Sequence, residues 1–137
     1  MPKALPNLKR KQKMLYDKDA KPEALIAQGQ LFQEAGWLND AIAFFDKAGY
    51  EEGLQLLRQT ARADGDVFLL RRILKCLDLE AEPEEWNELA DRALELGKLQ
   101  FAREGYRMAN NRKALDRIED QINPPEPEPE AAEQHGE

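Results

Sequence analysis

An internal repeat limits this chain more than any other feature. When Pro22-Glu23-Ala24-Leu25 is set over Pro83-Glu84-Glu85-Trp86, two long segments stay in register without a gap. Gly29 falls on Ala90, Phe32 on Ala93, Gly36 on Gly97, Leu38 on Leu99, Ala41 on Ala102, Phe45 on Tyr106 and Ala48 on Ala109. The offset is 61 residues, close to two units of about 30, the length of a two-helix repeat. A third unit is therefore expected between them, and residues 49–82 carry a degenerate copy. Gly53, Leu56, Leu57 and Ala61 would form one helix face there, Gly65-Asp66 the turn, and Phe68, Leu69, Ile73, Leu74 and Leu77 the next face.

No proline lies between Pro22 and Pro83, and apolar residues recur at helical spacing. The pattern predicts helices over 23–35, 38–48, 50–63, 66–78, 83–96 and 99–109, then a last one over 111–122. Pro22 and Pro83 suit first helical positions, each followed by a glutamate that meets the helix dipole. Gly36 and Gly97 suit the left-handed residue that ends a helix, and Asp66 suits an N-cap. Two helices of a hairpin cross closely only where side chains are small, which places Gly29 or Ala90 against Ala41 or Ala102, with Phe45 or Tyr106 filling the space alongside. One hairpin cannot bury its own apolar face, so units must stack. The expected fold is all-α: a short α-α solenoid of three antiparallel helical hairpins plus a C-terminal capping helix. In that helix Ala114, Leu115, Ile118 and Ile122 face inward.

The two outer units resemble tetratricopeptide repeats. The residues that carry the likeness are Leu25, Gly29, Phe32, Gly36, Ala41, Phe45 and Ala48 in one, and Trp86, Leu89, Ala90, Gly97, Ala102, Tyr106 and Ala109 in the other. The likeness spans residues 22–109. Gln28 departs from the family's leucine, and Ala93 from its aromatic. The resemblance implies a concave face, lined by first helices, that holds a peptide or helix of another protein. Its groove positions would be Glu23, Ile26, Gln30 and Gln33 in the first unit and Glu84, Asn87, Asp91 and Leu94 in the third. Arg58 and Arg62 of the middle unit would add positive charge. One subfamily clamps acidic C-termini with Lys and Asn, but Ile26, Gln30, Glu84 and Glu88 stand at those places here. Binding of such tails is therefore not expected.

Charge divides the 137 residues into three zones. Residues 1–21 form a basic N-terminal arm with seven Lys or Arg against Asp17 and Asp19. Residues 22–122 form the acidic repeat domain. Residues 123–137 carry five Glu and no base, with proline at every second place over 125–129. That pattern forbids helix and predicts an extended, disordered acidic tail, either a lure for a basic partner or a solubilising segment. Residues 7–17 of the arm suit a short basic helix with Leu8, Met14 and Leu15 docked on the first repeat. Lys9, Arg10, Lys11 and Lys13 could neutralise phosphates, so RNA or ribosome contact through residues 3–21 is the alternative reading. The arm could equally lie on the acidic body or on a neighbouring copy, and an open solenoid end could pair two copies into a homo-oligomer.

Catalytic chemistry finds few candidates. The one Cys excludes an internal disulfide, and the one His, His135, sits in the tail. Cys76 lies among leucines as a buried, inert thiol. Glutamates 80, 82, 84, 85 and 88 surround a helix start and lack a calcium-loop pattern. No phosphate-binding glycine loop occurs. No catalytic, cofactor or metal residues are therefore expected. Trp86 is assigned to the core, while Trp37 could pack on the next unit or serve as an interface anchor. With no apolar run of about 18 residues and no secretory leader pattern, the expected setting is the cytoplasm.

Overall fold

A computed structural model of the chain describes residues 5–126. Lys3, the tail beyond Glu126 and His135 lie outside the described residues. Eight helices occur among the described residues: α1 (Leu8–Tyr16), α2 (Pro22–Glu34), α3 (Leu38–Ala48), α4 (Glu51–Asp64), α5 (Val67–Leu77), α6 (Pro83–Glu95), α7 (Leu99–Met108) and α8 (Arg112–Ile122). No strand occurs among them. Helix α2 packs on α3, α4 on α5, and α6 on α7, and α8 covers α7. Contacts of α4 with α3 and α6, and of α5 with α3 and α7, join the hairpins into a stack. The protein is thus an all-α stack of three hairpins closed by a last helix.

The helix ends follow from local chemistry. Pro22 and Pro83 occupy first-turn positions, where the missing N–H is harmless. The Asp66 carboxylate accepts the Leu69 N–H at 3.0 Å and starts α5. Asn7 and Asn111 cap α1 and α8 in the same way. Gly36, Gly49, Gly65 and Gly97 take positive φ in the turns.

Trp86 is buried, as are Phe32, Phe44, Phe45, Leu89 and Tyr106. Two expectations for the middle unit need correction. Leu54 is buried in α4 while Leu56 is 51% exposed, and Phe68 of α5 is 53% exposed. Leu54, Leu57 and Ala61 make the tighter helical stripe, so Leu56 turns outward. Phe68 meets the Phe101 ring edge-on at 5.6 Å instead of entering the core.

The tight crossings lie one turn from the alanines named above. A Cβ on Gly29 would stand 2.5 Å from the Phe45 ring and 3.2 Å from Phe44 Cβ. At the matching place in the third hairpin, Ala90 Cβ would lie 2.9 Å from a Cβ on Gly105. The first hairpin therefore sets a glycine against aromatics, and the third sets alanine against glycine. Ala41 and Ala102 are fully buried beside these contacts.

Helix α1 rests on α3. Met14 and Leu15 are half-buried against the core, but Leu8 is 63% exposed and does not dock. The Lys47 ammonium of α3 donates to the carbonyls of Met14 (3.1 Å), Leu15 and Asp17 (2.6 Å), which stabilises the negative end of α1. Among the described residues no helix is long and apolar enough to cross a membrane.

Candidate functional site

The expected groove is the outward face of α2, α4 and α6. Helix α6 buries Trp86, Leu89, Ala90 and Ala93. That leaves Glu84, Glu88, Asp91 and Glu95 exposed on the opposite side, spaced by four, three and four residues. This spacing draws one carboxylate stripe along the helix. Glu84 and Glu88 have no ion-pair partner among the described residues, and Glu95 pairs with Arg92 at 2.9 Å.

Glu85 lies off that stripe and turns toward α4. The Arg58 guanidinium grips its two oxygens at 2.8 and 2.6 Å, and Arg62 approaches to 3.8 Å. Arg58 and Arg62 therefore tie α4 to α6 and are not free groove cations. The Arg58 hydrogen bond holds the Glu85 carboxyl below the usual carboxylate range against the opposing effect of burial, with the charges of Arg58 and Arg62 adding to it. The same hydrogen bond raises the Arg58 pKa. Because Glu85 is depressed in the fold, its contribution is present above the unfolded carboxyl pKa and is lost as pH falls through the folded value. Arg58→Gln is expected to cost about 1–2 kcal/mol, between the exposed and buried limits for ion pairs. It should also remove part of the acid-side loss of stability. Urea midpoints at neutral and acid pH check both effects.

The other groove positions divide in two. Glu23, Gln30, Glu84 and Asp91 are exposed, while Ile26, Gln33, Asn87 and Leu94 are half-buried. Asn87 accepts from the Asn111 amide at 2.9 Å, which links α6 to the cap of α8. Asp91 accepts from the Tyr106 hydroxyl at 2.5 Å. Asp91, Leu94 and Tyr106 line a cleft of about 210 Å³ with Arg117, Ile118 and Gln121 of α8. On α2, Gln28 Oε1 is buried without a hydrogen-bond partner, at the place where the third unit has Leu89.

Reading positions singly missed the acidic stripe, Arg117 and the Tyr106–Asp91 bond. The stripe was present in the spacing of the glutamates. The bond needed the crossing of α6 over α7, which no local pattern supplies.

On the arm, Lys11 pairs with Asp40 at 2.7 Å, so it is engaged by α3. Lys9, Arg10 and Lys13 are exposed without an ion pair among the described residues. Trp37 is 55% exposed, with its ring 6.2 Å from that of Phe32. Cys76 is half-buried, not fully enclosed. Burial first, then the Asp46 charge and hydrogen bond, pushes its thiol pKa up and keeps it protonated at neutral pH. Among the described residues no cluster of three His, Cys, Asp or Glu could hold a metal ion.

No family model matches this chain, and neither a curated protein nor a solved structure matches it significantly.

Proposed function

We propose that this protein is a non-enzymatic, tetratricopeptide-like interaction module that holds a basic peptide or helix of another protein on the face formed by α2, α4 and α6. One observation supports the reading above the rest. The exposed side of α6 presents Glu84, Glu88, Asp91 and Glu95 in one line, while the nearby arginines of α4 are held by Glu85. A lysine- or arginine-rich segment would find complementary charge there, and the cleft beside Leu94 and Ile118 would take an apolar side chain.

The exposed Lys9, Arg10 and Lys13 of α1 favour a second reading, a nucleic-acid or ribosome contact through the arm. Pull-down with the full chain, with and without nuclease, separates the two. On the first reading, captured proteins survive nuclease and fall at least about tenfold with Glu84→Lys plus Glu88→Lys. Capture that ignores those changes but disappears with nuclease or with Lys9→Gln, Arg10→Gln and Lys13→Gln gives the second reading instead.

A further inference from the structure

Helix α5 differs in charge from the rest of the stack. It buries Val67, Leu69, Leu70, Ile73 and Leu74 and turns Arg71, Arg72 and Lys75 outward. Its sequence carries no acid, whereas α2, α3, α4, α6 and α7 each carry at least one. Little nearby charge offsets it. Lys75 has no ion pair among the described residues. Arg72 donates to the neutral side-chain amide oxygen of Asn39 at 2.8 Å. Arg71 reaches Glu104 at 3.9 Å, but that carboxylate is already held by Arg107 at 2.7 Å. Two guanidiniums thus share one carboxylate between α5 and α7.

These cations border an apolar cleft. The end of α5, the segment after it and the end of α7 enclose about 420 Å³. Leu74 and Trp86 form its floor, each 5% exposed, and Leu79 and Met108 stand at its mouth, 48% and 39% exposed. Arg71 and Lys75 line it against one carboxylate, Glu80. Its volume admits a large apolar side chain. Trp86 projects from the buried side of α6, so the cleft lies across that helix from Glu84, Glu88, Asp91 and Glu95.

We propose that this cleft is a docking site for an acidic segment of a partner protein that carries a large apolar residue among its carboxylates. The apolar side chain enters between Leu79 and Met108 onto Leu74 and Trp86, and the flanking carboxylates meet Lys75, Arg71 and Arg107. Charge complementarity selects this occupant. An incoming carboxylate gives Lys75 a partner and relieves the sharing of Glu104 by two arginines. A nucleic acid fits less well. Glu80 and Glu104 interrupt a phosphate track, and Trp86 is too covered to stack on a base. The cleft is separate from the acidic stripe of α6 and opposite to it in charge. The inference therefore stands apart from the basic-peptide reading, and both faces can be filled at once.

The test titrates the full chain, labelled with 15N, with the synthetic peptide Asp-Glu-Glu-Phe-Leu-Glu-Glu. Saturable shifts are expected in the Trp86 indole signal and in the Lys75, Leu79 and Met108 amides. Arg71→Gln with Lys75→Gln should weaken binding at least about tenfold, as should a peptide with Ala-Ala in place of Phe-Leu. Both cations project from the surface, and the unchanged remainder of the spectrum verifies that the variant is folded. Glu88→Gln, across α6 from the cleft, should leave the affinity within about twofold, so the result does not depend on the acidic stripe. No shift, shifts confined to α1 with its exposed Lys9, Arg10 and Lys13, or equal binding of the alanine peptide would overturn the proposal. Tighter binding of oligouridylate at the same signals would give the cleft to a nucleic acid and overturn it too. Movement of those signals on dilution without peptide would give it to a second copy, with the same consequence.

Discussion

Gly65→Ala is expected to destabilise the protein by about 2–5 kcal/mol, the sum of a left-handed backbone penalty and a steric one. Gly65 has φ +65 and closes α4, donating its N–H to α4 carbonyls. A Cβ there would stand 2.6 Å from Ala93 Cα and 2.7 Å from both Ala93 N and Cβ. Those atoms belong to α6 and cannot swing aside as a flexible side chain would. Gly97→Ala is the control, because Gly97 has φ +76 with nothing within 4 Å of its added Cβ. It should cost only the backbone penalty, about 1–2 kcal/mol. Urea denaturation of the two variants measures the difference. Equal losses would mean that the turn between α4 and α5 does not seat on α6.

That turn also explains a departure from the repeat pattern. Ala93 stands where the tetratricopeptide pattern has an aromatic, and the turn at Gly65 occupies the volume that a ring would need. Two cations from the third hairpin fasten the same turn. Arg92 donates to the Ala63 carbonyl at 3.0 Å and Lys98 to the Asp64 carbonyl at 2.8 Å. The middle unit, which matches the pattern least, is thus held by the backbone of α4 against side chains of α6 and α7's cap.

Helix limits were legible because they are written locally. Proline at 22 and 83, glycine at 36, 65 and 97, and Asp66 each act within one turn of themselves, and the helices begin and end within a residue or two of where these place them. The first and third hairpins were legible because they repeat. What failed to show was lateral. The misplaced Leu56 is not of this kind, because the helical period already groups Leu54 with Leu57 and Ala61 and turns Leu56 outward. The lateral limit hid the candidate site: Arg58 looked free until α6 brought Glu85 to it, and Asn87 looked free until α8 brought Asn111. The arm was half legible. Met14 and Leu15 dock, but Leu8 does not, because the contact with α3 is made by the later half of α1 and held there by Lys47.

Tyr106→Ala should cost about 3–5 kcal/mol, the usual loss for deleting a buried ring. The residue is 4% exposed and packs with Ala90, Ala93 and Ala102 between α6, α7 and α8. The alanines of that cluster are too small to refill the space. Tyr106→Phe keeps the ring and removes only the hydroxyl bond to Asp91, so its cost is expected near about 0.5–1.5 kcal/mol. The pair of variants separates packing from hydrogen bonding. Alkaline titration separates them again. Burial first, then the hydrogen bond and charge of Asp91, pushes the Tyr106 pKa from 10.0 up to about 12, with Arg117 acting in the opposite sense. The unfolded chain therefore releases this proton first. Stability from Tyr106 is complete below the unfolded pKa of about 10 and falls as pH rises through the folded value. The phenylalanine variant lacks the ionising group, so its urea midpoint should decline less steeply across that window. Parallel declines in the two proteins would show that the Tyr106 hydroxyl is hydrated in solution and that α6 and α7 do not close over it.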